Sequence, residues 1–201
     1  MLPPIKKEPT TFLKGVDVQK QWIIKNLEWG AGNFRPSAEG WIFDGWVKAR
    51  SHTMGELKVP IASVGSSIDL NFGRRPDCTL KSLIGLPRVV PGVLDLTYAK
   101  ITDLKGCPVS VGRLNLEGCT KLTNLDDLPK KIKGLANDQG MTEQIKITWH
   151  PTLPVMRLFW YTHVTLLKAP ASFQVIWNRW HPKGMAFAMP CIPELIKAGY
   201  I

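Results

Sequence analysis

The sequence has little of what marks most catalytic or membrane proteins. Its 201 residues hold four cysteines, Cys78, Cys107, Cys119 and Cys191, and no two of them form a Cys-x-x-Cys pair. That argues against a zinc ribbon or a dithiol redox motif and fits buried free thiols in a reducing cytosol. His52, His150, His163 and His181 have no metal-like spacing with one another or with the cysteines, so no metal is expected. Neither a Gly-x-x-x-x-Gly-Lys nor a Gly-x-Gly-x-x-Gly loop is present, and no cofactor is expected. Asp126 and Asp127 are adjacent carboxylates in a repeat turn, where solvated carboxylates are the ordinary case. Cys191 with His181 is a nucleophile–base pairing without a motif around it. The expectation is a non-enzymatic protein with no catalytic residues. No run of about 18 apolar residues exists, so no membrane partner is expected. The start lacks a basic-then-apolar signal peptide, which predicts a cytoplasmic protein.

Acidic residues are also few. Sixteen Asp and Glu stand against 26 Lys and Arg, for a formal net charge of +10. Such a balance favours nucleic acid, ribosomes or an acidic protein as partner, or is simply a soluble basic surface.

What is present is a repeat. Ile68-Asp-Leu70 precedes Leu80-Lys-Ser-Leu83-Ile-Gly-Leu86-Pro87. Leu94-Asp-Leu96 precedes Ile101-Thr-Asp-Leu104-Lys-Gly-Cys107-Pro108. Leu114-Asn-Leu116 precedes Leu122-Thr-Asn-Leu125-Asp-Asp-Leu128-Pro129. The three prolines are 21 residues apart, as are Leu83, Leu104 and Leu125, a period that belongs to leucine-rich repeats. Each Leu-x-Leu triplet puts two apolar side chains on one face of a strand. The following Leu-x-x-Leu-x-x-Leu has near-helical spacing, turns the chain back, and is ended by proline. One coil cannot bury its apolar face alone, so coils stack and their strands form a parallel sheet. The predicted fold class is α/β: a short leucine-rich-repeat-like solenoid with an N-terminal helix/strand cap and a mostly helical C-terminal cap.

In chain order, residues 1–11 predict a flexible arm, 12–56 an N-terminal cap, 57–140 the solenoid and 141–201 a basic, aromatic C-terminal cap. Phe12 to Trp29 predicts a helix, stopped by Gly30 to Gly32. Trp41 to Val47 predicts strand residues around an Asp44-Gly45 turn. Trp22, Trp29, Trp41 and Trp46 suit a cap over the first coil; a base-stacking role is the less favoured alternative. Leu57 to Val64 reads as the tail of a degenerate repeat. Asn71 to Thr79 is an insertion carrying Arg74 and Arg75, either a contact loop or a solvated one. Lys130, Lys131 and Lys133 flank a fourth strand ending at Leu135. Ile145 to Trp149 alternates like a last strand, Pro154 to Leu167 reads as a helix plus a strand or one bent helix, Ala171 to Trp180 as a helix, and Pro193 to Gly199 as a short helix. From residue 141 onward, six Lys/Arg face two Asp/Glu.

The stretch from Gly32 to Tyr200 resembles a family of leucine-rich-repeat-like proteins encoded by tailed bacteriophages. Ser82 to Pro87 and Asp103 to Pro108 match its repeat, and Asn124 to Pro129 matches without the glycine. Leu153-Pro-Val-Met-Arg-Leu158 and Leu195-Ile-Lys-Ala-Gly-Tyr200 match its closing segments. Ala99 and Cys119 replace the asparagine that often follows the strand in that family. The resemblance implies phage origin and action in the host cytoplasm, and supplies no activity.

The solenoid offers a surface. Outward columns on the strands are Ser67, Val93 and Arg113; Asp69, Asp95 and Asn115; and Asn71, Thr97 and Glu117. These predict a polar, partly acidic face for a protein partner, a host protein or complex under the resemblance, captured for counter-defence or host takeover; solvated columns are the plain alternative. Arg74, Arg75, Lys130, Lys131, Lys133 and Arg179 are the candidate contacts of a second reading, a nucleic-acid or ribonucleoprotein binder. A virion or assembly component is a third.

Overall fold

The computed structural model describes residues 12–30, 32–50, 54–71, 79–136, 140 and 142–201. The expected arm at 1–11 lies outside these, as do Arg74 and Arg75. Helix α1 spans Val16–Asn26. It is shorter than the sequence predicts because Gly15, at φ 87°, begins it and Leu27 turns to extended backbone. Leu27–Trp29 is therefore strand β1. Strands β2 (Phe34–Ser37) and β3 (Gly40–Phe43) form an antiparallel pair. Strand β4 (Val47–Ala49) follows. Asp44-Gly45 is not a hairpin turn. It is a corner inside one coil, because β3 and β4 both run parallel to strands of the next coil, β5 (Ile61–Val64) and β6 (Ile68–Asp69).

Strands β7 (Val89–Asp95) and β8 (Ser110–Leu116) pair in parallel along both their halves, with an irregularity after Val90. The coil after β8 is interrupted. Its first strand, β9 (Lys131–Ile132), pairs with the start of β8. A small antiparallel hairpin of β10 (Leu135–Ala136) and β11 (Thr142–Glu143) then leaves the stack. Strand β12 (Ile145–Thr148) returns to the end of β8. The fourth strand expected from Lys130 to Leu135 is thus two residues of ladder followed by this excursion. After a 3-10 helix at Val155–Trp160, β13 (Val164–Leu167) adds in parallel to β12. Helices α2 (Ala171–Trp180) and α3 (Ala188–Lys197) close the chain. The main sheet runs β1-β4-β6-β7-β8-β12-β13, with β9 beside β8. It is parallel except where β1 covers β4. The stack extends past the expected 57–140 boundaries on both sides.

The period explains the packing. Leu80, Leu83, Ile101, Leu104, Leu122 and Leu125 are all at most 2% exposed, and each such side chain contributes roughly 1.5–3 kcal/mol on burial. The turns repeat their hydrogen bonds as well as their leucines. The amide of Leu86 donates to the Leu83 carbonyl, Cys107 to Leu104 and Leu128 to Leu125. Three residues before each of the glycines Gly85 and Gly106 stands the column Ser82, Asp103 and, in the third coil, Asn124. Each accepts a bond from the amide two residues on, a local cap of the kind these residue types favour. The missing asparagine ladder is partly replaced: the Cys119 thiol donates to the Leu96 carbonyl of the preceding coil at 3.1 Å.

The caps are aromatic. Trp29 meets Phe34 at 4.4 Å between centroids, and Phe34 meets Trp41 at 5.4 Å, while Trp46 lies against Gly30. At the other end Phe159, Trp177 and His181 pack together, with Trp177 and His181 stacked at 4.1 Å.

Candidate functional site

The outward side of the sheet is built by register. Lys48, Asp69, Asp95, Asn115, Lys146 and Thr165 stand opposite one another on six successive strands. At about 4.8 Å per strand, this row is about 24 Å long. Val93 and Arg113 are paired beside it, and the Ser67 hydroxyl accepts the Val93 amide at 2.9 Å. The sequence columns through Asp69, Asp95 and Asn115 are therefore real neighbours. The structure adds a lysine at each flank, Lys48 and Lys146. Their signal was available: Lys48 lies 21 residues before Asp69 in the triplet Val47-Lys-Ala49, and Ile145-Lys-Ile147 has the same form.

Three of the row's side chains also shape the backbone. Asp69 accepts the Asn71 amide at 2.8 Å, Asp95 the Thr97 amide at 2.9 Å and Asn115 the Glu117 amide at 3.1 Å. This repeated bond turns the chain at the end of each strand, as short side-chain acceptors do. Thr97, a candidate contact, is instead buried, and its hydroxyl donates to Asp95 at 2.6 Å. It is removed from the face for that reason.

The charges are locally balanced. Lys48 lies 3.8 Å from Asp69, Lys146 2.8 Å from Glu117 and Arg113 3.3 Å from Glu143 on the hairpin. Asn71 donates to Asp95 at 3.5 Å. The face is therefore less acidic than its central residues suggest. Partial burial pushes the Asp69 carboxyl above its ordinary range; the neighbouring Asp95 charge adds to this, and the Asn71 amide and Lys48 oppose it.

The candidate basic residues do not form one patch. Arg179 is on α2 and pairs with Glu194 at 3.0 Å. Lys130, Lys131 and Lys133 are exposed at the start of the interrupted coil and make no ion pair among the described residues. Lys130 borders a groove whose other members include Arg157 and Trp160, neither of which is among the contacts expected from the sequence.

The conceivable nucleophile pair is not assembled. His181 is buried, with Nε2 3.3 Å from the Leu158 carbonyl, and burial holds its pKa down. The Cys191 thiol is pushed up to about 11 by burial and makes no hydrogen bond with His181. Cys107 is pushed up to about 12, again by burial. Among the described residues no three metal-ligating side chains converge, and no helix is long and apolar enough to cross a membrane. No family model, no curated protein and no solved structure matches the chain.

Proposed function

We propose that the chain is a non-enzymatic binding module that captures a protein partner on the outward row of its parallel sheet. The observation that supports this is the six-strand register from Lys48 to Thr165. It sets an acidic centre, Asp69 and Asp95, between two lysines on a rigid repeat scaffold. Half-exposed ion pairs such as Lys48–Asp69 are worth about 0–1 kcal/mol each, so a partner can exchange them at small cost. The partner that fits has a basic or hydrogen-bond-donating centre flanked by acidic groups, and Arg113 is the side chain best suited to anchor it. Under the phage resemblance the partner is a host protein or complex, and capture serves host takeover or counter-defence. Affinity capture from host lysate tests the reading. The expected result is a discrete protein that resists nuclease and moderate salt. Capture of nucleic acid alone, lost on nuclease treatment, refutes it.

A further inference from the structure

A second surface carries a different chemistry. Trp160 ends the 3-10 helix Val155–Trp160 and is 66% exposed. Its indole makes no hydrogen bond, ring contact or cation contact with any described residue, unlike Trp29, Trp41, Trp149, Trp177 and Trp180, each of which meets another ring. A large aromatic left in water forgoes much of its burial energy, so its position calls for an occupant. It borders an open groove of about 330 Å³ with Lys130, Arg157, Asp126 and Tyr161. The Tyr161 hydroxyl donates to the Pro129 carbonyl at 2.8 Å, which fixes the groove wall to the stack.

The cations continue from this groove along the starts of the strands. Val89, Ser110 and Lys131 are in register on successive coils. Arg88 and Lys130, the residues just before them, therefore stand two coils apart, about 10 Å. The carbonyl of Arg88 accepts the Val109 amide and that of Val109 accepts the Lys131 amide, so the row is held by backbone. Arg88, Lys130, Lys131 and Lys133 are exposed and unpaired among the described residues. Arg157 is the exception, being paired to Asp126.

We infer that Trp160 and this cationic row form a binding site for single-stranded nucleic acid. One base stacks on the free indole, and the backbone phosphates lie along Lys130, Lys131, Lys133 and Arg88. An aromatic platform beside a basic track is what sequence-tolerant single-strand binding requires. An acidic peptide would use the cations and leave the indole without a role. Asp126 opposes the site by occupying Arg157, so neutralising it strengthens binding. This site is separate from the sheet's outward row and does not depend on the protein partner proposed there.

The test is fluorescence anisotropy of a labelled 12-nucleotide single strand, at two salt concentrations, with the full chain. Wild type is expected to bind with a logarithmic salt slope of about −0.7 per phosphate contacted. Trp160→Ala weakens binding roughly tenfold with the slope unchanged, and Trp160→Phe recovers part of the loss. The triple variant Lys130→Gln, Lys131→Gln, Lys133→Gln weakens binding and flattens the slope by about 2. Asp126→Asn tightens it. Absence of saturable binding at low salt overturns the proposal. So does wild-type affinity in Trp160→Ala, or competition by polyglutamate as effective as that of unlabelled oligonucleotide.

Discussion

Gly112 reports how closely the coils stack. It lies in β8 where the strand crosses the irregularity of β7. A Cβ placed there would sit 2.6 Å from the carbonyl oxygens of both Pro91 and Gly92 and 3.0 Å from the Gly92 carbonyl carbon. All three atoms are backbone, so no side chain can swing aside. Gly112 is outside the left-handed region, so Gly112→Ala adds only a steric demand. Overpacking of this kind costs typically about 1–3 kcal/mol, and contact with the backbone of β7 alone, which cannot swing aside, puts this case near the upper end. For a chain of this length, each kcal/mol lowers Tm by about 2–4 °C. The expected loss is therefore roughly 5–10 °C in a thermal melt followed by far-ultraviolet circular dichroism. Gly55→Ala is the control. It too has no positive φ, and its nearest atom would be the Thr79 carbonyl oxygen at 3.7 Å. It should be neutral, or stabilising by about 0.4–1 kcal/mol through the unfolded chain. Equal melting of Gly112→Ala and wild type would refute the close approach of these two coils.

Other perturbations separate structure from recognition. Asp95→Asn keeps an oxygen for the Thr97 amide and removes the charge, so it should retain its melting temperature while weakening partner capture. Burial raises the Asp69 pKa, so ionised Asp69 is a cost that appears as pH rises through its folded pKa. Asp69→Asn should therefore be at least as stable as wild type at pH 7, with the difference closing as pH falls to about 4. His181 behaves oppositely: burial lowers its pKa below the usual 6.5, so the unfolded chain takes up the proton first. Stability present above pH 6.5 should fall as pH drops toward 5 in urea titrations, and less so in His181→Gln. Cys119→Ala removes the thiol donor to Leu96 and should cost about 1 kcal/mol by urea denaturation.

The fold was legible where a period existed. The 21-residue spacing of Leu83, Leu104 and Leu125 encodes both the turn and its burial, because each coil repeats the same hydrogen bond as well as the same apolar side chain. Legibility failed where one coil differs from its neighbours. The hairpin between β9 and β12 breaks a strand in two, and nothing in Lys130 to Leu135 signals that its partner strand continues ten residues later. Asp44-Gly45 misled because a corner within a coil and a hairpin turn use the same residues; only the parallel partners of β3 and β4 distinguish them. The column through Asp69, Asp95 and Asn115 was readable from strand alternation, whereas the column through Thr97 was not, because that side chain turns in to its own Asp95. That Asp69, Asp95 and Asn115 also turn the chain was not, since acceptors that bind a partner and acceptors that bind the backbone are the same residue types. Trp160 was missed because its exposure depends on what packs around the 3-10 helix, which local sequence does not encode.

The most direct measurement is affinity capture of the partner with Val93→Arg, made beside wild type. Val93 is half-buried in the outward face, and its amide bond to Ser67 does not depend on its side chain, so the variant should fold. The account predicts that Val93→Arg melts like wild type and loses the captured protein, while Trp160→Ala retains it. Undiminished capture by a folded Val93→Arg would place the binding surface elsewhere and contradict the account.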